Sequence, residues 1–486
     1  MKYTNQLILL ALIIGASLRI TVYLQNRSFI IDEANLARNI VEKNYSDFFK
    51  PLDYEQYAPP VLSCALKSAI KLGGINEYSL TFLSLLAGIG TLILLFLVGR
   101  EIGIKDVPLL YMILLFSFSI MAIRYSTELK QYSLDAFLCL LFVYWFLRRR
   151  ELEFAFSYSL QLTIFGSLAI WTSMPIVFVL AAIGVQLLIR YFQKKDFSFP
   201  FLIMIGVSWL VSFGIYYFTI LKTDAGSDYL QNFHGEYFFD LLPFSKASIE
   251  TDVNLILGLF RSMTDKTVIS LAGCSLFFGV GVYQLVKRKK AVAAILLLPF
   301  VFCLMASHLN MYSLLSRLTL FLIPMLTLVF IYGFSWAWTR SNKYLKVLLL
   351  AFAILTIINK KGYEHFRKPM EFEDAKTNLD FMKQNNKVRE TVFVHHSAVP
   401  AFLFYNDMHD DAYGFKNYRL GKWEDLAGNV IEKNPNIVSG DLFWLFFSHT
   451  EPESRLEKDF KSVNTFAVKL KEQRAIQSIV QQYRKN

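Results

Sequence analysis

Apolar residues in this chain are gathered into long runs instead of alternating with polar ones. Leu7 to Leu24 is the first run. Others cover about 79–99, 107–123, 133–147, 155–172, 174–192, 200–220, 266–286, 291–307, 318–338 and 345–359. A helix needs about 20 apolar residues to cross ~30 Å of hydrocarbon. The pattern therefore predicts a polytopic α-helical membrane protein of about eleven transmembrane helices. Continuous runs follow the first one, and no small-residue cleavage site separates them, so Leu7 to Leu24 reads as a retained span.

Charge between the runs sets their direction. Arg100 with Lys105, Arg148 to Arg150, Lys194 with Lys195, Lys287 to Lys290, and Arg340 with Lys343 and Lys346 fall in alternate loops. The other loops carry fewer cations: Arg124 and Lys130, Lys222, Lys246 and Arg261, and Arg317. Basic loops stay in the cytoplasm. This places the N-terminus inside, and loops 25–78 and 221–265 and everything after Lys360 outside. Within the first loop, Val61 to Leu72 reads as an amphipathic segment along the interface.

After about residue 370 the pattern changes. Apolar runs shorten to strand length and charges become frequent. Helices are expected over Phe372 to Gln384, Ala398 to Tyr405 and Trp423 to Lys433, and strands over Thr391 to His395, Asp441 to Phe447 and Asn464 to Leu470. Strands alternating with helices imply an α/β fold. The expected division is a membrane region, 1–360, and an extracytoplasmic α/β domain, 361–486.

Composition agrees with this reading. Of the 486 residues, 54% are hydrophobic and 18% charged, where a soluble protein carries about 25% charged. The net charge of +11 sits mostly in short loops, so it is an orientation signal and not a nucleic-acid surface. Four cysteines lie singly in apolar surroundings, without metal-ligand spacing, and no structural disulfide is expected.

Three polar clusters at the outer side are candidates for chemistry, because charged groups at membrane depth are costly and tend to be functional. The first is Asp32-Glu33. A carboxylate here can take a proton from a hydroxyl or hold a metal; the plainer reading is an acidic helix start. The second runs from Arg124 to Asp135. If helical, it puts Arg124, Glu128, Gln131 and Asp135 on one face, a polar stripe suited to a phosphate; the plainer reading is a solvated loop with one Arg–Glu pair. The third is Ser307-His308 through Arg317, where Arg317 opens a run containing Pro324 and either reaches a phosphate or snorkels outward. His395-His396 lacks partners at metal spacing, and His234, Glu236 and Asp240 read as a surface loop.

In this order the residues resemble the GT-C membrane glycosyltransferases. The shared features are the Asp32-Glu33 loop, the Pro59-Pro60 pair, the span ending in Gly99-Arg100, the Arg-Tyr-x-x-Glu-x-Lys-x-Tyr-x-Leu element from Arg124 to Leu134, and Arg317 before Pro324. The bacterial branch similar to protein O-mannosyltransferases, the lipid A aminoarabinose transferase and lipopolysaccharide-core sugar transferases is the nearest in pattern. The resemblance implies transfer of a sugar from a polyprenyl-phosphate donor to a hydroxyl on a glycan, lipid or protein acceptor, with inversion, at the outer face of a bacterial inner membrane. It implies Asp32 as the reacting carboxylate, with Glu33 supporting the loop or binding acceptor. Arg124, Lys130 and Arg317 become candidates for the carrier phosphate, Glu128 and Tyr132 for orienting those cations, and Tyr57, Pro59 and Pro60 for the cavity rim. No cofactor or metal is implied, although a divalent metal is compatible. Two positions depart from the pattern. Ala58 stands where the aminoarabinose branch has Lys, which argues against that sugar. Lys130 stands where Arg is common, keeping the charge without the bidentate fork.

Two other classes fit parts of the pattern: a lipid or polysaccharide transporter or flippase, and a non-catalytic envelope scaffold. Transporters show pseudo-symmetric halves with broken spans, which this sequence lacks. A scaffold would make Asp32 dispensable.

Overall fold

The computed structural model describes residues 2–149, 156–194, 198–386, 390–423, 426–434, 437–449 and 453–486. Arg150, Lys195, Glu424 and Asp425, which belong to expected elements, lie outside the described residues. In chain order the membrane region comprises α1 (Lys2–Leu24), α2 (Ile31–Glu42), α3 (Pro60–Gly73), α4 (Glu77–Glu101), α5 (Asp106–Ser117), α6 (Ile120–Tyr125), α7 (Tyr132–Arg149), α8 (Phe156–Ile170), α9 (Ile176–Lys194) and α10 (Phe199–Tyr216). Short helices α11 (Lys222–Ala225) and α12 (Asp228–His234) and the longer α13 (Lys246–Met263) follow. Then come α14 (Val268–Arg288), α15 (Lys290–His308), α16 (Leu322–Arg340) and α17 (Lys343–Asn359).

Every apolar run is helical in the described residues. Among the described residues, seven helices are long and apolar enough to cross a membrane: α1, α4, α9, α14, α15, and α10 and α16 with the turns that continue them. The other four runs, at α5 with α6, α7, α8 and α17, form shorter or more charged helices. α16 is the central span, buried along most of its length. It meets α14 at Gly281 and Gly333, where an added Cβ would strike the backbone carbonyl of Val329 or Phe277. Small residues of this kind let membrane helices pack backbone to backbone.

Contacts join the loops into two opposite ends. At one, Arg148 Nη1 lies 3.4 Å from Glu101 Oε2, and Lys289 Nζ donates to the Ile102 carbonyl at 2.7 Å. At the other, Ser119 bridges to Lys361, the Val61 N–H donates to Trp171 O at 3.1 Å, and the Leu314 N–H to Tyr237 O at 2.8 Å. The loops that carry Arg100, Arg148 and Lys289 share the first end, and the acidic loop lies at the second.

The remaining chain forms α18 (Ala375–Asn385), α19 (Val399–Leu403), α20 (Ala427–Glu432) and α21 (Glu453–Asn464), with strands β1 (Thr391–Val394), β2 (Tyr418–Leu420), β3 (Leu442–Ser448), β4 (Ala467–Ala475) and β5 (Ser478–Lys485). The sheet order is β2-β1-β3-β5-β4. β1 pairs in parallel with β2 and β3, and β5 runs antiparallel to β3 and β4. β3 is buried on both faces, as central strands between helical layers are, and reads Leu-Phe-Trp-Leu-Phe-Phe-Ser. The first loop does not pack only on the membrane helices. Phe29, Leu36, Ile40, Leu62 and Leu66 share one apolar cluster with Leu379, Val394, Phe402, Phe404 and Phe446. The acidic loop is thus held between the span bundle and the sheet.

Candidate active site

Asp32 sits in the first turn of α2. That helix starts at Ile31 because Glu33 turns back to accept the Ile30 N–H at 3.1 Å, as a third-position Glu commonly does. Adjacent positions then face different surroundings. Asp32 is partly exposed, and its Oδ2 lies 3.4 Å from Arg317 Nη1. Glu33 is fully buried. Its oxygens accept both Arg27 terminal nitrogens, at 2.7 and 2.9 Å, and the Leu129 N–H at 2.7 Å. Glu33 therefore has its acceptor positions filled, while Asp32 keeps an open side.

Residues 126–131 are irregular. Ser119 caps α6, which ends at Tyr125, and α7 begins at Tyr132. The expected helical stripe through Arg124, Glu128, Gln131 and Asp135 is therefore not formed. The break turns the Leu129 amide toward Glu33 and sends the neighbouring side chains in different directions. Lys130 is buried, and its Nζ donates to Gln56 Oε1 at 2.6 Å. Burial lowers its pKa, while Asp32, within electrostatic reach, opposes that fall; Arg317 adds to it. Tyr132 lies among Arg317, Glu128, Tyr125 and Asp32. Asp135 is buried apart from these cations, beside Ser173.

Arg124 belongs to a neighbouring layer. It forks onto Glu128, with Nε at 3.1 Å and Nη2 at 3.3 Å, and stacks 3.9 Å over the Phe372 ring. Glu128 is buried, and burial together with the Glu33 charge raises its pKa against the pull of Arg124 and Arg27. Glu33, Glu128, Arg27 and Arg124 thus form a closed four-charge cluster under the Asp32 helix.

Arg317 precedes a turn of 3₁₀-helix, Leu318–Phe321, that runs into α16. Besides Asp32 it has the Phe233 ring at 5.8 Å. Its Nε is buried without a hydrogen-bond partner. Nearby His234 has a lowered pKa, from burial and then from the Arg317 charge. Loop 221–265, read from the sequence as surface, therefore contributes Phe233 and His234 beside Arg317. Asp240 of that loop instead pairs with His308 at 3.3 Å.

The rim residues are placed by backbone geometry. Pro60 occupies the first position of α3 and Pro59 its cap, where a missing N–H costs nothing. Tyr57 OH lies 2.5 Å from Tyr216 OH, next to Trp171. Ala58 is buried in the apolar cluster shared with the sheet.

The structure thus brings together Asp32, Lys130, Arg317 and Tyr132, and holds Glu33, Arg124 and Glu128 in the supporting layer. Sequence reasoning missed three residues. Arg27 is one. Gln56, which anchors Lys130, is another. Asn39 is the third: its side chain donates to Asp53 O at 3.1 Å and accepts Asp53 N–H at 2.9 Å, fixing the loop that carries Gln56. Chemically, a partly open carboxylate faces two cations, one with a free buried donor. That arrangement can take an anion at the cations and a hydroxyl at the carboxylate.

The architecture is a polytopic helical bundle whose acidic first loop is held against a small sheet. The chain shares this fold with ArnT from Cupriavidus metallidurans, solved bound to undecaprenyl phosphate, at a TM-score of 0.55 and 11% identity over 99% of this chain and 98% of that one. The apo structure of that ArnT aligns at a TM-score of 0.53, with the same identity and coverage. An Archaeoglobus fulgidus oligosaccharyltransferase, tethered to an acceptor peptide, aligns at 0.49 with 14% identity over 96% of this chain and 69% of that one. No family model matches the chain. No curated protein matches it in sequence.

Proposed function

We propose that the protein is a glycosyltransferase that passes a sugar from a polyprenyl-phosphate carrier to an acceptor hydroxyl at the extracytoplasmic face of a bacterial inner membrane. The observation that carries this reading is the pairing of a half-open Asp32 with Arg317, whose buried Nε lacks a partner, beside the buried Lys130. A buried donor without an acceptor is costly, and a phosphate oxygen would satisfy it. The fold shared with ArnT, solved with undecaprenyl phosphate, supports the donor class.

In this reading Lys130 and Arg317 face the carrier phosphate, where negative charge grows as the sugar–phosphate bond breaks. Asp32 takes the proton of the incoming hydroxyl. The hydroxyl oxygen bonds to the anomeric carbon from the side opposite the phosphate, so the centre inverts and the polyprenyl phosphate leaves with the bonding pair. Glu33, Arg124 and Glu128 hold the layer beneath, Tyr132 lines the floor, and Tyr57, Pro59 and Pro60 form the wall. The two cations supply the charge at the phosphate. The acceptor is a glycan, lipid or protein hydroxyl. The clustering of basic loops at one end supports a cytoplasmic N-terminus and an extracytoplasmic sheet.

Binding of undecaprenyl phosphate to the purified protein in nanodiscs tests the phosphate site. Lys130→Ala should weaken it about 10- to 100-fold, the range for a hydrogen bond to a charged group. The pH dependence has a defined sign. Phosphate binds the charged ammonium, and burial lowers the pKa of that ammonium in the free protein. Affinity should therefore fall as pH rises, starting below the range of an ordinary lysine, and Lys130→Arg should remove the fall. Equal affinity in wild type and Lys130→Ala would remove Lys130 from the site.

A further inference from the structure

Among the buried carboxylates that the mechanism does not use is Glu77, in the first turn of α4. It is almost fully enclosed, and its partners come from the C-terminal layer. Oε1 accepts from Lys376 Nζ at 2.8 Å and from the Tyr405 hydroxyl at 3.0 Å. Oε2 faces His409 Nε2 at 3.0 Å. His409 Nδ1 accepts the Asp411 N–H at 3.0 Å, so the ring proton lies on Nε2 and points at Glu77.

The same residues grip the segment that leads into α2. Tyr405 oxygen accepts the Phe29 N–H at 2.8 Å while its proton goes to Glu77. Lys376 Nζ also donates to the Asn26 carbonyl. The Lys376 N–H donates to Ser28 Oγ at 3.1 Å, which in turn donates to Asp374 at 3.1 Å. The Met370 N–H donates to the Gln25 side chain at 2.9 Å. Phe29 packs on Phe404, with ring centroids 5.3 Å apart. Residues 25, 26, 28 and 29 are therefore each fixed by the C-terminal layer, and Asp32 follows three residues after Phe29.

We propose that the C-terminal layer is the positioning element for Asp32, acting through Glu77, the Tyr405 hydroxyl and the Phe29 amide. A phenol has one proton. It is donated to Glu77 in a hydrogen bond, so a lone pair of Tyr405 is turned to the Phe29 N–H. That bond fixes the entry into α2, and with it the direction of the Asp32 carboxylate toward Arg317. Tyr405 and Glu77 are positioning residues, because neither touches the reacting atoms. This inference rests on Asp32 being the reacting carboxylate.

The test uses full-length protein in nanodiscs, with Tyr405→Phe, which keeps the ring packing, and Glu77→Gln, which keeps the volume and one acceptor. Hydrogen exchange is read in peptides covering 25–34 and, as a control, β3 and β5. Transfer is read with a panel of undecaprenyl-phosphate-linked sugars. Tyr405→Phe should speed exchange in 25–34 about tenfold, as expected for loss of one buried hydrogen bond, and leave β3 and β5 unchanged. It should lower kcat about tenfold with donor KM within about twofold, since a small misplacement costs rate while the phosphate contacts persist. Glu77→Gln should move both readouts in the same direction. Unchanged exchange in 25–34, faster exchange throughout the sheet, or faster local exchange with normal kcat would each overturn the positioning role. Full transfer by Asp32→Asn would instead overturn the underlying assignment of Asp32, while the exchange result would still judge the Glu77–Tyr405 contact.

Discussion

Asp32→Asn should lower sugar transfer about 10³-fold, the middle of the range for loss of a general base. It should do so without loss of fold. Asp32 is partly exposed and makes one charged contact, to Arg317 at 3.4 Å. A pair of this exposure contributes roughly 0–1 kcal/mol, and Asn preserves the size of the group. Donor binding should hold or tighten, because the substitution removes the carboxylate that competes with phosphate for Arg317. Inserted protein with intact undecaprenyl phosphate binding and no transfer is the expected pattern, measured with labelled lipid-linked sugar in nanodiscs. Full transfer would exclude Asp32 from the chemistry. The substitution also separates the classes considered from the sequence. A flippase would move lipid without forming a new glycosidic bond, and a scaffold would be indifferent to the change.

The membrane architecture was legible in the sequence because hydropathy and charge act over whole segments. A run of about 20 apolar residues needs no partner to be recognised, and each expected run is a helix. Site geometry depends on pairs far apart in the chain. Gln56 meets Lys130 across 74 positions and Glu33 meets the Leu129 amide across 96, distances at which local periodicity carries no information. The stripe from Arg124 to Asp135 shows the same limit in reverse. Its spacing fits one helical face, but the Glu33 carboxylate captures an amide inside it and the helix breaks.

The C-terminal layer divides along similar lines. β3 was readable from its continuous apolar run. β5 was not, because its buried positions include Gln481 and Gln482, which hydrogen-bond Glu472 and Glu390 inside the fold. β2 is three residues long and mostly exposed. α21 is amphipathic but strongly charged, and the sequence offered no run to mark it. The role of this layer was equally hidden, since Tyr405 and Phe29 are 376 positions apart.

Glu33 should respond to substitution in the opposite way from its neighbour. Glu33→Gln should destabilise the protein by about 3–5 kcal/mol, the cost of leaving one member of a buried ion pair uncompensated. Arg27 is the charge left behind: its side chain is 6% exposed, and the nearest remaining carboxylate, Glu128, is already forked by Arg124. The Ile30 and Leu129 amides donate to different Glu33 oxygens, so Gln keeps an acceptor for one of them only, and a lost amide bond adds to the isolated charge. Thermal unfolding in detergent measures the effect, which should appear as a lower Tm with reduced yield of inserted protein. Arg27→Met combined with Glu33→Leu removes both charges and should be less destabilised than the sum of the two single changes, although two amides then lack acceptors. If Glu33→Gln kept its Tm and lost only transfer, Glu33 would be a reacting group and the division of labour between the two adjacent carboxylates would reverse. The geometry argues against that outcome, since every lone pair of Glu33 that faces the site is already engaged by Arg27, Ile30 or Leu129, and a general base needs one free to receive the proton.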